Sequence, residues 1–311
     1  MNAMTISPEI NRLINEIKND RAHGASELAR QAVTVLKITA ECSRAETIAQ
    51  FLWEQKTVGE RLMSARPAMA PLFNIVMQLL NIITTRTRGL DLDSARRFTL
   101  ATADNIIQDS LLAVARIARL AADLIADNDR IMTHSYSSTV VAVLKEAAAK
   151  HQNIEVTITR SGAGRSGERT ARELESCRMP LTFIDDTAVG LYITTMNKVL
   201  VGADRICADG KVINGIGTYP LALAAERARI PLYVSCETLK FDPRTNSSQV
   251  DLEEKDTEEV VAPGVLPPVV KVKNLCFDIT PLELVTGVVT ERGVMSAAEV
   301  TGYMAEHTST G

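Results

Sequence analysis

Hydrophobic residues recur every three or four positions through the first third of the chain, which is the spacing of one face of an α-helix. The clearest apolar stripe consists of Met69, Leu72, Phe73, Val76, Met77, Leu80 and Ile83. Helix ends are marked by a capping-box pattern at Ser43 and Glu46, a stop at Arg88-Gly89, and a cap at Asp93 or Ser94 before a long helix ending near Ile125. We therefore predict a helical N-terminal domain over residues 1–126.

The pattern changes at Asp129 to short apolar, β-branched runs that alternate with helical segments. The runs are RIMT, IEVTIT, LTFI, KVLVGA, PLYVSC and NLCFDI. Such alternation predicts parallel strands joined by right-handed helical crossovers that cover both faces of one sheet. The predicted fold class is α/β, an N-terminal helical bundle followed by a Rossmann-like, doubly wound parallel sheet over residues 127–311.

Two segments near the C-terminus complete the prediction. The last helix is expected from about Pro281 to Arg292, followed by a loose polar tail. The acidic stretch DLEEKDTEEV, residues 251–260, is predicted to be a solvated loop.

Composition narrows the function. The chain has 311 residues, 46% hydrophobic and 23% charged, as is typical of a soluble globular protein. A net charge of -4 and a pI near 5.7 provide no broad positive field, so we expect no direct nucleic-acid binding. The five cysteines are scattered without a C-x-x-C pair, which favours reduced thiols and a cytoplasmic location. Neither a leader, a membrane span, a metal site nor a cofactor is predicted.

An acidic residue stands directly behind one predicted parallel strand. Asp204 follows the apolar run 199–201 and lies within the stretch ADRICADGKVING, residues 203–215. Open α/β sheets bind ligands at the carboxyl ends of their strands, so Asp204 is a candidate for ligand chemistry. For an isolated aspartate, a turn cap or an ion pair with Arg205 is the simpler interpretation.

Three further stretches put polar groups at the same predicted edge. In MTHSYSST, residues 133–135 follow a strand and a helix begins near Ser138, a corner suited to an anion or simply to a helix cap. In NGIGT, residues 214–218, two glycines permit a close backbone approach to a ligand or a tight turn. Lys240 follows another strand, where a solvated lysine is the default. We interpret His134 as a loop histidine with local hydrogen bonds.

Together these stretches resemble one known family. The matching motifs are HGASELA (23–29), ARPAMAPLFN (65–74), GADRICADGKVINGIGT (202–218), ETLKF (237–241) and DITPLELVT (278–286). The family unites the alpha, beta and delta regulatory subunits of translation initiation factor 2B with two aldose–ketose isomerases. Those isomerases act on methylthioribose 1-phosphate and on ribose 1,5-bisphosphate. The resemblance covers nearly the whole chain and implies the same fold.

The resemblance also implies roles for individual residues. Asp204 matches the catalytic aspartate that exchanges a proton with a sugar oxygen, and Ser135 occupies the position of the catalytic cysteine. Ligand-binding positions implied in the same way are Gly24, Ala25, Arg66, Ser137, Ser138, Thr139, Asn214, Gly215 and Lys240. Arg66 suits this role because a guanidinium pairs with phosphate oxygens through two hydrogen bonds.

Ser135 departs from the isomerase pattern. The isomerases have a cysteine there that accepts a proton from the sugar carbon, and a thiol of pKa about 8.5 can be activated by its site. An unassisted serine hydroxyl is far too weakly acidic to be that base, and losing such a group costs about 10²–10⁴ in rate. Ser135 thus argues against the usual mechanism.

The other departures concern charge and loop length. Gly215 stands where the family has a lysine, and His23 begins the loop that the family begins with arginine. The glycine-rich loop over residues 159–174 is longer than its counterpart. Arg160 or Arg165 could replace the missing charge, although a solvated position is the simpler expectation for both.

Two functions follow as hypotheses. The first is a protein like the alpha subunit of initiation factor 2B, which binds a sugar phosphate or nucleoside monophosphate in a cleft between its domains and contacts protein partners without catalysis. The second is an aldose–ketose isomerase of a phosphorylated pentose that uses Asp204 and a route less dependent on Ser135. A structural subunit with an empty cleft is a third interpretation. The resemblance implies a homodimer, and in some relatives a hexamer.

Overall fold

The computed structural model describes residues 6–20 and 23–308, which form two compact units, 1–112 and 113–311. The first unit is helical. Its helices are α1 (Pro8–Asn19), α2 (Ala25–Cys42), α3 (Ile48–Met63), α4 (Ala70–Arg86) and most of α5 (Leu92–Ala122). Their apolar faces are buried, with Leu28, Phe51 and Leu72 at 0% exposure, and Phe51 packs in a cluster with Ala40 and Ala45. The predicted helical bundle is confirmed.

The start of α3 differs from the prediction. The Thr47 hydroxyl accepts from the backbone N–H of Gln50, and the Gln50 side chain returns to the backbone of Thr47, so these two residues form the capping box. Ser43 instead ends α2, and its hydroxyl donates to Glu54 at 2.5 Å. The connection between α2 and α3 thus contains two adjacent capping-box patterns, and only the second, Thr47 with Gln50, forms in the structure.

The second unit contains two sheets. The strands are β1 (Arg130–Thr133), β2 (Glu155–Thr159), β3 (Leu181–Ile184), β4 (Lys198–Val201), β5 (Arg205–Cys207), β6 (Lys211–Gly215), β7 (Leu232–Ser235), β8 (Phe241–Asp242), β9 (Phe277–Pro281), β10 (Gly287–Thr290) and β11 (Gly293–Met295). The helices are α6 (Ser138–Lys150), α7 (Gly167–Leu174), α8 (Val189–Tyr192), α9 (Thr218–Ala228) and α10 (Ala297–Thr308).

The larger sheet has the order β11-β10-β7-β4-β1-β2-β3, and only β11 is antiparallel to its neighbour. Apart from β11, the strand order is that of the doubly wound Rossmann arrangement. Successive residues of β1 face opposite cores, Ile131 one and Met132 the other, as expected of a sheet covered on both faces. The predicted fold class is confirmed.

The smaller sheet has the order β8-β5-β6-β9 and follows directly from the exit of β4. The run NLCFDI, predicted as part of the parallel sheet, supplies β9 of this smaller sheet and pairs antiparallel with β6. That prediction was wrong because an apolar run fixes neither its partner nor its direction. Asp204 is held between the sheets, since its N–H donates to the carbonyl of Ile213 in β6 at 2.8 Å.

The C-terminal prediction also needs correction. Residues 281–292 are not a helix, because β9 ends at Pro281 and the β-branched residues Val288 and Val289 are fully buried in β10. The segment expected to be a loose tail forms β11 and α10, and α10 buries Val300 and Met304. Residues 309–311 lie outside the described residues.

Two other expectations can be compared with the fold. The boundary between the units falls within α5, ahead of the predicted one at residue 126, because Ile117 and Ala121 belong to the core beneath β1 and α6. The acidic stretch 251–260 is a largely exposed loop with one short 3₁₀ turn, as predicted.

Candidate functional site

Polar side chains collect where the parallel strands of the larger sheet end. The exit of β1 carries His134, which is buried. Its Nε2 lies 2.8 Å from the carbonyl oxygen of Ile216 and its Nδ1 lies 2.6 Å from the hydroxyl of Thr159. A carbonyl only accepts, so Nε2 carries the proton and Nδ1 accepts. Burial lowers the pKa of His134, and this neutral ring is a structural link between β1, β2 and the β6–α9 turn.

Ser135 adopts a left-handed backbone conformation with φ of 67°. Its N–H donates to the hydroxyl of Ser161 at 2.6 Å, and its carbonyl accepts from Thr170. Its own hydroxyl lies 3.2 Å from that of Ser166. The adjacent imidazole of His134 is occupied on both nitrogens, so no base is directed at this hydroxyl from that ring. A hydroxyl without such a base is too weakly acidic to take a proton from carbon.

The N-terminus of α6 lies beside this serine. Ser137 caps the helix, since its hydroxyl accepts from the N–H of Val140 at 3.3 Å, and Ser138 is the first helical residue. Thr139 is fully buried, and within the described part of the chain its hydroxyl has no hydrogen-bond partner. The first N–H groups of a helix lack intrahelical acceptors and attract anions. Both interpretations of this corner, helix cap and anion site, are compatible with the same atoms.

The glycines at this edge permit close approach. A Cβ atom at Gly202 would lie 2.6 Å from the hydroxyl of Ser137, and one at Gly215 would lie 2.6 Å from that of Ser135. Asn214 and Gly215 end strand β6 rather than forming a turn, and the side chain of Asn214 donates to the Thr218 hydroxyl at 3.0 Å. These contacts bring the exits of β1, β4 and β6 together, as the sequence predicted for Ser135, Ser137 and Asn214.

Lys240 is buried, at 3% exposure, where a solvated lysine was the default expectation. It follows β7 in a short 3₁₀ turn, and its N–H donates to the carbonyl of Glu237. Burial raises the pKa of the nearby Cys236 thiol to about 12, which Lys240 opposes and which Glu237, Glu291 and Asp204 reinforce. The thiol therefore stays protonated at neutral pH.

Three predicted ligand positions belong to the first unit. Gly24 caps α2, with its N–H donating to Glu27 at 3.1 Å, and Ala25 is the first, buried residue of that helix. Arg66 is buried and donates to the carbonyl oxygen of Asp20 at 2.8 Å. His23, which precedes Gly24, and Arg66 thus both donate hydrogen bonds to Asp20 within this unit.

Sequence reasoning missed several residues that build the site. Asp186, behind β3, accepts from the N–H groups of Ser161 at 2.8 Å and Gly162 at 2.7 Å. Asp278 accepts from the N–H groups of Gly217 at 2.8 Å and Tyr219 at 3.0 Å, at the start of α9. The sequence shows that both aspartates lie behind or within a strand. It does not show which N–H groups they accept from, because those groups lie in loops that come near only in the folded chain.

Asp278 makes a pH-dependent contribution to stability. Burial raises its pKa from 3.8 to about 6 against the opposing N–H groups of Tyr219 and Gly217. The folded state therefore holds this proton more tightly than the unfolded chain. The resulting stabilisation is full below about pH 4 and is lost as pH rises through about 6. In Asp278→Asn we expect this dependence to vanish, so the unfolding free energies of the two proteins in urea should diverge by about 2 kcal/mol between pH 4 and pH 7. Parallel pH profiles would contradict the assignment.

In residues 6–20 and 23–308, no group of three or more His, Cys, Asp or Glu side chains is arranged to hold a metal ion. None of the helices described here is long and apolar enough to cross a membrane.

The fold defines an α/β protein with a Rossmann-like sheet, whose strand exits carry polar side chains, preceded by a helical unit. The profile of the Initiation factor 2 subunit family matches residues 21–297, and the chain belongs to this family. The resemblance inferred from the motifs is confirmed.

Individual relatives include isomerases and initiation-factor proteins. The ribose 1,5-bisphosphate isomerase of Pyrococcus furiosus is 36% identical over 300 residues, which cover 95% of this chain and 92% of that protein. The translation initiation factor eIF-2B of Pyrococcus horikoshii OT3 superposes with a TM-score of 0.81 at 31% identity, covering 94% and 98% of the two chains. The 5-methylthioribose 1-phosphate isomerase of the same organism gives 0.79 at 25% identity, covering 97% and 88%.

Proposed function

We propose that this protein is an aldose–ketose isomerase whose substrate is a phosphorylated pentose of the ribose 1,5-bisphosphate type. The observation that carries the proposal is a buried ammonium, Lys240, which follows β7, beside the carboxylate-bearing exit of the neighbouring strand β4, where Asp204 stands. A buried ammonium costs free energy unless a carboxylate or a bound anion neutralises it, so a buried lysine at this edge is suited to an anionic ligand. The 36% identity to the Pyrococcus furiosus isomerase supports the same substrate class.

Phosphate binding is assigned to the α6 corner and to Lys240. Ser138 and Thr139 supply N–H groups at the helix start, and the buried hydroxyl of Thr139 supplies a further donor. Asn214 and the Gly215 backbone are proposed to contact the sugar. Gly24, Ala25 and Arg66 are proposed ligand-binding residues of the first unit, with the Arg66 guanidinium suited to phosphate oxygens.

The chemistry must move hydrogen between two neighbouring carbons. In a ring-form aldose 1-phosphate, C2 and its hydroxyl each lose a hydrogen, the bond from C1 to the ring oxygen breaks, and C1 and the ring oxygen each gain one. We propose that Asp204 accepts the proton of the C2 hydroxyl and returns a proton to the ring oxygen, while hydrogen passes from C2 to C1 with its electron pair. This hydride shift needs no base at C2, which suits the hydrogen-bonded, weakly acidic hydroxyl of Ser135.

A second function is favoured by Ser135 itself. If no residue replaces the cysteine of the isomerases, the same site binds a sugar phosphate or a nucleoside monophosphate without turnover, as a regulatory relative of initiation factor 2B. The ligand chemistry is then unchanged and only the product is missing. The homodimer and any protein partners of the initiation-factor type belong to this same proposal, and sedimentation of the purified protein measures the former.

The test is incubation of the protein with ribose 1,5-bisphosphate in D₂O, with NMR detection of the product. The proposal expects a ketose bisphosphate without deuterium at C1, because a hydride shift does not exchange with solvent. Deuterium at C1 would contradict the hydride route but retain the isomerase. If neither this compound nor methylthioribose 1-phosphate yields a ketose, the isomerase proposal is contradicted. Stabilisation of about 2.7 kcal/mol at about 100 times Kd would then identify the binding protein.

A further inference from the structure

A lysine from the acidic loop lies against the glycine-rich loop 161–166. A Cβ atom at Gly164 would lie 2.5 Å from the ammonium nitrogen of Lys255. The same loop carries the two serines that contact Ser135, namely Ser161 and Ser166. The ammonium group of Lys255 is therefore placed over a loop that helps to form the candidate site.

The backbone holds this lysine in place. The N–H of Lys255 donates to the carbonyl of Asn274 at 2.8 Å, and its neighbour Glu254 forms an antiparallel bridge with Leu275. Asn274 is buried, and its amide donates to the carbonyl of Asp256 at 2.7 Å. Lys255 is half-buried although most of its neighbours in the loop are exposed. Its position is thus determined by the fold and not by a freely moving loop.

The other cations of this region are already neutralised. Arg160 lies 3.6 Å from Asp185, and Arg165 pairs with Glu168. These are the residues that the sequence suggested as replacements for the charge missing at Gly215. Among the residues that the structure describes, Lys255 forms no ion pair. The Oε2 atom of Glu259, 3.9 Å from the Cβ position at Gly164, accepts a hydrogen bond from Asn274 at 3.1 Å.

We propose that Lys255 is a specificity-determining residue that holds one phosphate group of a bisphosphorylated sugar over loop 161–166. The inference rests on the proposed function and adds to it, because it explains how the site distinguishes a bisphosphate from a monophosphate. Two phosphates carry more charge than the single ammonium of Lys240 balances in this unit. A half-buried ammonium without a carboxylate partner is the group that a second phosphate neutralises.

Calorimetric titration of the full-length protein tests the proposal. Each variant is titrated with ribose 1,5-bisphosphate, ribose 1-phosphate and ribose 5-phosphate. In Lys255→Met, which keeps the length of the side chain without its charge, the preference for the bisphosphate over the tighter-binding monophosphate should fall by about 10- to 100-fold. Gly164→Ala should act in the same direction, because its methyl group displaces the ammonium while the lysine remains.

The matched control is Lys271→Met, which removes an exposed lysine from the same stretch of chain. It should leave the preference unchanged, and thermal unfolding should show that all variants fold. An unchanged preference in Lys255→Met would overturn the inference. If the wild-type protein binds none of the three sugars, the proposed function fails by itself. In that case both proteins are titrated with inorganic phosphate. Weaker binding by Lys255→Met than by the wild type supports an anion site at Lys255, and equal binding overturns it.

Discussion

Replacing Asp204 by Asn is expected to lower kcat on ribose 1,5-bisphosphate by about 10²- to 10⁴-fold, the usual cost of losing a positioned acid or base. The amide keeps the shape of the carboxyl group but cannot accept and return a proton. Binding should change far less than turnover, because the proposed phosphate contacts come from α6 and from lysines. Steady-state kinetics should therefore show a loss in kcat with KM nearly retained.

The control for this variant is Asp109→Asn. Asp109 is an exposed residue of α5. Its replacement removes the same charge at a position far along the chain from the candidate site. Its kcat should equal that of the wild type. If Asp204→Asn turned over at the wild-type rate, Asp204 would have no part in the chemistry, and the isomerase proposal would lose its acid and base.

Replacing Gly217 by Ala is expected to destabilise the protein by about 2–5 kcal/mol, for two reasons that act together. Gly217 has φ of 106°, which a residue with a Cβ atom adopts only with strain. The added methyl group would also lie 2.6 Å from a ring carbon of His134. That ring is buried and held at both nitrogens, so it has no space into which to move.

Urea unfolding of Gly217→Ala measures this cost, and Gly190→Ala provides the comparison. Position 190 has open space around its Cβ site and no positive φ. Alanine there should leave stability unchanged or raise it slightly, because alanine is favoured over glycine in a helix. Equal stability of both variants would show that the contact between the β6–α9 turn and His134 does not constrain this region.

The parallel strands were predictable because each was read from a local pattern. RIMT, LTFI and KVLV are short runs that contain β-branched residues, and each forms the strand expected of it, although LTFI is an edge strand with Thr182 and Phe183 exposed. Asp204 could likewise be placed at a strand exit before its neighbours were known. The run from Pro281 to Arg292 misled the same reasoning, because Val288 and Val289 pair with β7, a strand distant in the chain, and face the two cores that cover the sheet.

The candidate site was predictable in part. Ser135, Ser137 and Asn214 were expected at one edge, and the contacts of Gly202 and Gly215 bring the exits of their strands together. Lys240 was expected to be solvated and is buried. Burial of a single charged residue depends on the long-range packing around it, which no local pattern records.

The amino-acid sequence by itself determined the helical first unit, the alternation of strands and helices from β1 to β7, the family, and the choice of Asp204 and Ser135 as candidate residues. These properties depend on residue type and spacing along the chain. Only the tertiary structure decided that Asp278 caps α9, that His134 is locked at both nitrogens, and that Lys255 lies over loop 161–166. Each of these depends on contacts between residues far apart in sequence, whose distance is set by the packing of the whole unit.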